Sequence, residues 1–272
     1  MNPLGTRVIS ALVAFIVLVS LVYFFGDNGL KFLCCITPLL AQRELVRLLF
    51  KDSEPAFLKW SFSITLLAIF SGAAFWPDKT GLVLGLLTVI FCSLCLFSEK
   101  FFPEIGDIVS FQAKSLLGFI YAGLLPALAF QLILLPQGNF WFLTMLAAVL
   151  FGDTFAYIFG MNFGKNKLSP RLSPKKTIEG SLGGLIGSGM AGLGSGIYFL
   201  NSVSPIMLIT LCILTGFIAQ QGDLFESLLK RVANRKDSGT LMPGHGGILD
   251  RIDGILFGAP VMLAGAILLQ SL

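Results

Sequence analysis

The stretch from Asp223 to Asp253 gathers the residues best suited to chemistry. It holds five carboxylates, five cations including Arg251, and the sole histidine, His245, in a chain of which only 12% of residues are charged. Ionisable groups beside apolar spans cost several kcal/mol unless they serve a purpose, so such a cluster marks a functional site. If the preceding helix continues to about Arg231, then Asp223, Ser227 and Lys230 share one face with Glu226 at its edge, because positions i, i+4 and i+7 align. Asp250 and Asp253 stand three residues apart on the first turn of the next helix. Carboxylates at two helix ends, joined by a flexible turn, can converge on one Mg²⁺ that keeps positions open for phosphate oxygens. The turn Pro243-Gly244-His245-Gly246-Gly247 offers backbone amides to an anion at little steric cost. Acids, bases and glycines in this mixture suit a phosphate and a divalent metal better than a proton path.

A second polar segment precedes it. Residues 161–180 include Ser173-Pro174-Lys175-Lys176-Thr177-Ile178-Glu179-Gly180. Paired lysines in a Pro-bounded turn act as point charges for phosphate, and a following helix N-terminus adds its amides. The bland alternative is a solvated basic loop. Asp153, inside the apolar run Phe151-Gly152-Asp153-Thr154-Phe155, needs a partner at that depth.

The elements that must position these groups are membrane helices. Hydrophobic residues make up 55% of the chain, and phenylalanine alone occurs 26 times. That composition excludes a soluble globular domain and predicts an all-α, polytopic integral membrane protein. A span needs roughly 20 apolar residues, and segments near 8–25, 29–49, 57–76, 81–98, 115–135, 140–160, 181–200, 204–222 and 252–270 qualify, about nine transmembrane helices in all. The first lacks a small-residue cleavage site and leads at once into a second span, so it is expected to be retained. With nine spans, seventeen of the basic residues fall on the N-terminal side and only Lys31 and Lys79 on the other. The positive-inside rule then puts the N-terminus and both polar loops in the cytoplasm and the C-terminus on the other side.

Three regions are expected: 1–98 with spans one to four, 99–138 with span five and a polar, partner-facing start, and 139–272 as a catalytic region with cytoplasmic loops 161–180 and 223–251. In the first region only Gln42, Arg43 and Glu44 carry chemistry, and they read as an interfacial anchor. Span seven holds eight glycines between Gly180 and Gly196, a density that lets helices approach closely. It is expected to pack centrally, against spans six and eight. Cys92 and Cys95 have a metal-like spacing, but their helix is apolar, and all five cysteines read as small core residues. The net charge of +4 would suit anionic lipids, and membrane lipids are the expected surroundings. No nucleic-acid partner is expected.

The run from Ser227 through Leu229-Lys230-Arg231, Lys236-Asp237, Gly239 and Pro243-Gly244-His245-Gly246-Gly247 to Asp250-Arg251-Ile252-Asp253 resembles the signature of the phosphatidate cytidylyltransferases, or CDP-diglyceride synthases. The Ser-Pro-Lys-Lys-Thr-x-Glu-Gly run and the Asp153-Thr154-x-Ala156-Tyr157 run resemble further blocks of that family, in order. Ile178 departs from the aromatic residue that many members carry. The resemblance covers the second half of the chain. It implies transfer of CMP from CTP to phosphatidic acid, giving CDP-diacylglycerol and pyrophosphate. It further implies Mg²⁺ with room for a second cation, a homodimer, and an active site on the cytoplasmic face of the inner membrane. On that reading Asp223, Asp250 and Asp253 are assigned to metal, and Lys176, Lys230 and Arg231 join Asp223 and Asp250 in catalysis. Substrate contacts are expected from Asp153, Ser173, Lys175, Lys176, Thr177, Glu179, Glu226, Ser227, Lys230, Arg231, Lys236, Asp237, His245, Gly246, Gly247 and Arg251. A phosphomonoester with a second pKa near about 6 is a usable nucleophile at neutral pH, so no general base is required. Two other classes remain open. A transporter would scatter its charges at mid-span, often in repeated halves. A CDP-alcohol phosphotransferase would need further aspartates after Asp253-Gly254, where the residues are apolar.

Overall fold

A computed structural model of the protein describes residues 13, 16–17, 19–241 and 246–271. Residues 19–25 are helical, and Gly26 turns the chain at φ 54° into α1 (Asp27–Leu49). There follow α2 (Ala56–Phe75), α3 (Thr80–Phe97) and α4 (Ile105–Gly118). A π-helical stretch (Phe119–Leu124) runs on into α5 (Leu125–Leu134). Then come α6 (Gly138–Phe163), the strands β1 (Lys167–Ser169) and β2 (Ser173–Thr177), α7 (Ile178–Tyr198), α8 (Pro205–Val232) and α9 (Leu249–Gln270).

The protein is a helical, multi-pass membrane protein. Every expected span from residue 29 onward is a helix, while the expected span 8–25 lies largely outside the described residues. Six helical stretches among the described residues are long and apolar enough to cross a membrane: those at 56–75, 77–97, 105–134, 138–163, 205–232 and 249–270. Two others fall short for visible reasons. α1 carries Asp27, Lys31, Arg43, Glu44 and Arg47, and α7 contains so much glycine that its mean hydropathy falls.

Two segments differ from expectation. The polar stretch after Glu99 is not an extended loop. A reciprocal cap, in which Glu104 and Asp107 each accept from the other's end of the first turn, starts α4 at Ile105, as such boxes do. And residues 167–177 form a two-stranded antiparallel hairpin, pairing Lys167 with Thr177 and Ser169 with Ser173.

The chain divides into two compact units. The first comprises residues 1–131 and 232–250. Its core is aromatic: Phe50 stacks on Phe111 at 4.5 Å, Phe62 on Phe119 at 5.2 Å, and Phe91 meets Phe119 edge-on at 5.1 Å. All five rings are almost fully buried, and such offset and edge-on pairs add to simple burial. Gln131 satisfies its amide nitrogen on the Ala73 carbonyl and the Thr80 hydroxyl, as a polar group in an apolar helix must. α3 by contrast buries little but Phe91 and Cys95.

The second unit comprises residues 132–231 and 251–272. Here α7 lies between α6 and α8, as its glycines predict. A Cβ at Gly187 would stand 2.8 Å from the Phe155 Cβ of α6, and one at Gly192 would stand 2.7 Å from the Leu208 carbonyl of α8. Both distances are shorter than real side chains tolerate. Ser188 bridges the same seam by donating to the Ala148 carbonyl of α6 at 2.8 Å. Beyond Val232, Asn234 takes the left-handed conformation at φ 53°, a residue and geometry that end helices.

Candidate functional site

In the second unit, α6, the hairpin, the first turn of α7 and the middle of α8 enclose a cavity of about 390 Å³. Asp153 and Tyr157 of α6, Lys175, Lys176 and Thr177 of β2, and Asp223 of α8 are among its lining residues. Four of the substrate candidates and one metal candidate read from the sequence therefore face a single space. The hairpin is what brings the lysines there. Thr177 ends β2 and caps α7, accepting from the Gly180 amide at 3.1 Å, which fixes the register of Lys175 and Lys176 two and one residues earlier. Glu179 braces the other side of this turn by accepting from the Lys165 and Asn166 amides and from the Asn166 side chain at 2.8 Å. Its own backbone N–H, the Lys165 amide and the two Asn166 donors hold its carboxyl down at about 2. Glu179 is thus an ionised brace of the hairpin at neutral pH.

Across the cavity Lys176 Nζ meets Asp223 Oδ2 at 2.6 Å. Further along α8, Lys230 pairs with the nearly fully buried Glu226. Arg231 reaches the Leu172 carbonyl with a long 3.4 Å bond. Ser227, the other candidate on this helix, is half-buried. Asp253, on the second turn of α9, accepts from the Gly254 amide at 2.8 Å and feels the negative charges of Asp223, Glu226 and Asp153. Asp153 in turn is acted on by the charges of Asp223, Lys176 and Arg251. The second unit thus gathers the carboxylates Asp153, Asp223, Glu226 and Asp253 among Lys175, Lys176, Lys230 and Arg251, and carboxylate oxygens are hard donors of the kind Mg²⁺ prefers. Among the described residues no group of three or more carboxylates, histidines or cysteines forms a ready metal cage.

Most of the remaining candidates belong to the first unit. Lys236 and Asp237 are exposed there, and Ser173, back in the second unit, pairs within the hairpin. Asp250 Oδ2 accepts from the Ser238 amide at 3.0 Å, the Ser238 hydroxyl at 2.8 Å and the Gly247 amide at 2.8 Å. The Gly247 N–H is therefore turned to Asp250, not outward to a ligand. Gly246 adopts φ +84°, which glycine alone adopts readily. His245 lies outside the described residues.

Three polar residues escape a reading of the sequence. Gln220 of α8 accepts from the Ser181 hydroxyl and donates back to the Ser181 carbonyl at 3.1 Å, and both line the cavity. A glutamine at span depth is a usable signal, since it must find partners. Glu44 is the third, and it is not an interfacial anchor. Its side chain turns inward, is buried, and accepts from Ile248, Leu249 and Ser238.

A helical membrane scaffold whose cavity sets Lys175 and Lys176 beside Asp153 and Asp223 has the groups that a phosphate-handling membrane enzyme needs. The chain belongs to the cytidylyltransferase family, whose profile matches residues 5–269. It is 33% identical over 290 residues to a phosphatidate cytidylyltransferase of Synechocystis sp., covering 97% of this chain and 96% of the relative. It is also 33% identical to one of Thermotoga maritima over 96% and 95% of the two chains, and 34% identical to one of Rickettsia felis over 80% and 95%.

Proposed function

We propose that the cavity of the second unit is where this chain transfers CMP from CTP to phosphatidate, giving CDP-diacylglycerol and pyrophosphate. Family membership and full-length similarity to phosphatidate cytidylyltransferases support the reaction. The single structural observation that carries the assignment to this cavity is the facing of Lys176 and Asp223 across it. A phosphatidate oxygen attacks the α-phosphorus of CTP, and the bond from that phosphorus to the oxygen bridging to the β-phosphorus breaks. Pyrophosphate leaves with that oxygen. Lys175 and Lys176 bind and orient the phosphates, and the charge of Lys176 offsets the negative charge that builds on the leaving oxygen. Placing both phosphates in line within reaction distance is the larger part of the task. Asp223 and Asp253 are the carboxylates of this unit that would hold Mg²⁺, and Asp250 of the first unit is a metal candidate on the family resemblance alone. Such an ion would polarise phosphoryl oxygens and shield their charge from the nucleophile. Purified protein given radiolabelled CTP and phosphatidate should release pyrophosphate and label a lipid. Absence of a labelled lipid, with the protein folded, would refute the reading.

The reaction is assigned to the cytoplasmic face of the inner membrane, in a nine-span topology and as a homodimer. The seventeen-to-two partition of basic residues supports the orientation. Single cysteines placed at Lys167 and Lys236 of a cysteine-free variant should resist an impermeant thiol reagent in intact cells and react after lysis. Labelling of either before lysis would overturn the orientation.

A further inference from the structure

The start of α9 is held by a carboxylate from a distant part of the chain. Glu44 Oε1 accepts from the Ile248 amide at 3.0 Å, and Oε2 accepts from the Leu249 amide at 3.0 Å. The first amides of a helix have no partner within it, and a negative charge is favoured there. Only 5% of Glu44 is exposed, so its carboxyl oxygens depend on these amides for hydrogen bonds. Oε2 also lies 3.0 Å from the Ser238 hydroxyl, whose other carboxylate neighbour is Asp250 at 2.8 Å. Ser238 has one hydroxyl hydrogen for the two acids and turns its amide to Asp250 as well.

The surrounding glycines fit this arrangement. A Cβ at Gly239 would stand 2.7 Å from the Glu44 carboxyl carbon, and one at Gly247 would stand 2.5 Å from it. Both positions must therefore be bare for the carboxylate to enter. Part of the glycine pattern in the signature run is thus a seat for Glu44. Asp250 Oδ2 accepts from Ser238 and Gly247, and both of those residues touch Glu44.

We propose that Glu44 is a positioning residue for cytidylyl transfer: seated on the first amides of α9 and on Ser238, it sets the orientation of the Asp250 carboxylate. This role rests on the transferase reading above. Glutamine at position 44 would keep the size but turn an NH₂ group toward an N–H donor, breaking at least one arm of the seat. Ser238→Ala removes only the hydroxyl between the two acids. Loss of a partner that orients a ligand side chain costs about 10- to 100-fold in activity. We expect kcat at saturating CTP and phosphatidate to fall by about that factor in Glu44→Gln and by about tenfold in Ser238→Ala. Both KM values should stay within about threefold, since the residues orient a reacting group and do not touch substrate. Hydrogen exchange should be faster at the amides of 248 and 249 in Glu44→Gln than in the wild type, a readout independent of turnover. Wild-type kcat in either folded variant, a loss confined to KM, or unchanged exchange at 248–249 would overturn the proposal. Should Glu44→Gln fail to fold, Ser238→Ala decides on the same kinetic criteria. A wild-type preparation lacking CMP transfer would instead sink the transferase reading, and the exchange data would still report whether Glu44 holds the helix.

Discussion

Asp223→Asn should lower turnover by about 10²- to 10³-fold, the scale set by removing one electrostatic contact to a phosphoryl transition state, while the protein stays folded. The two halves of this expectation come from the same ion pair. Lys176 and Asp223 lie 2.6 Å apart, but their side chains remain 25% and 39% exposed. A pair that open to solvent contributes about 0–1 kcal/mol to stability, so its loss cannot unfold the chain. A large loss of rate would therefore have to be chemical. On the proposed reading, a triphosphate entering the cavity would draw Lys176 from the carboxylate to phosphate oxygens, and Asp223 would be free to hold a cation. The two residues then act on opposite partners, and removing both should not restore activity. A cycle of Asp223→Asn, Lys176→Gln and the double variant separates the possibilities. If the pair were only structural, the double variant would recover most of the wild-type rate, because neither charge would be left alone. We expect it to be at least as slow as the slower single variant. Lys176→Gln should lower kcat rather than raise one KM, since its charge matters most in the transition state. A pure rise in KM for phosphatidate would make the hairpin a headgroup dock and leave Lys230 or Arg231 to supply the cation.

What could be read from the chain, and what could not, divides along physical lines. Apolar runs of about 20 residues leave little choice but helix, so each such run from residue 29 onward was legible as a helix. The crowding of glycine at 180–196 also foretold that α7 lies against both α6 and α8, because bare positions have value only where another backbone comes close. The hairpin at 167–177 was not legible. Its strands are too short to show a period, and Pro174 sits inside one of them. The start of α4 was masked by polar residues, Glu104 and Asp107, that serve as its cap.

The site shows the same division. Lys176, Asp153 and Asp223 could be nominated because charge in an apolar setting is costly wherever it points. Their meeting around one cavity depends on the hairpin and on the phase of α8, which no spacing rule gives. Glu44 was misread for a different reason. An acid next to Arg43 at a helix end looks solvated, and only the 194-residue separation from Ser238 in sequence reveals why it is buried. Long-range hydrogen bonds leave no local pattern. In the same way the amide of Gly247, which local geometry offers to an anion, is already directed at Asp250.

Two glycines of α7 should respond to substitution with opposite sign. A Cβ at Gly187 would stand 2.5 Å from the Phe151 carbonyl oxygen and 2.8 Å from the Phe155 Cβ. A backbone carbonyl in a helix cannot step aside, so Gly187→Val must push α7 away from α6. Overpacking of this kind costs about 1–3 kcal/mol and at times more, and a rigid β-branched residue leaves no rotamer to relieve it. The displacement would also move Thr177 and Gly180, which fix the register of Lys175 and Lys176, away from Asp153 of α6. We expect Gly187→Val to melt well below the wild type in detergent and to lose activity even where folded. Around Gly194 no atom lies within 4 Å of the added carbon. There alanine meets open space, and the backbone freedom of glycine is a net loss to the helix of about 1 kcal/mol. Gly194→Ala should therefore leave activity untouched and raise the melting temperature slightly. Thermal unfolding of both variants, followed by size-exclusion chromatography in detergent, reads the contrast directly. Equal destabilisation of the two would mean that α7 does not meet α6 along the Gly187 face, and the cavity built on that seam would lose its support.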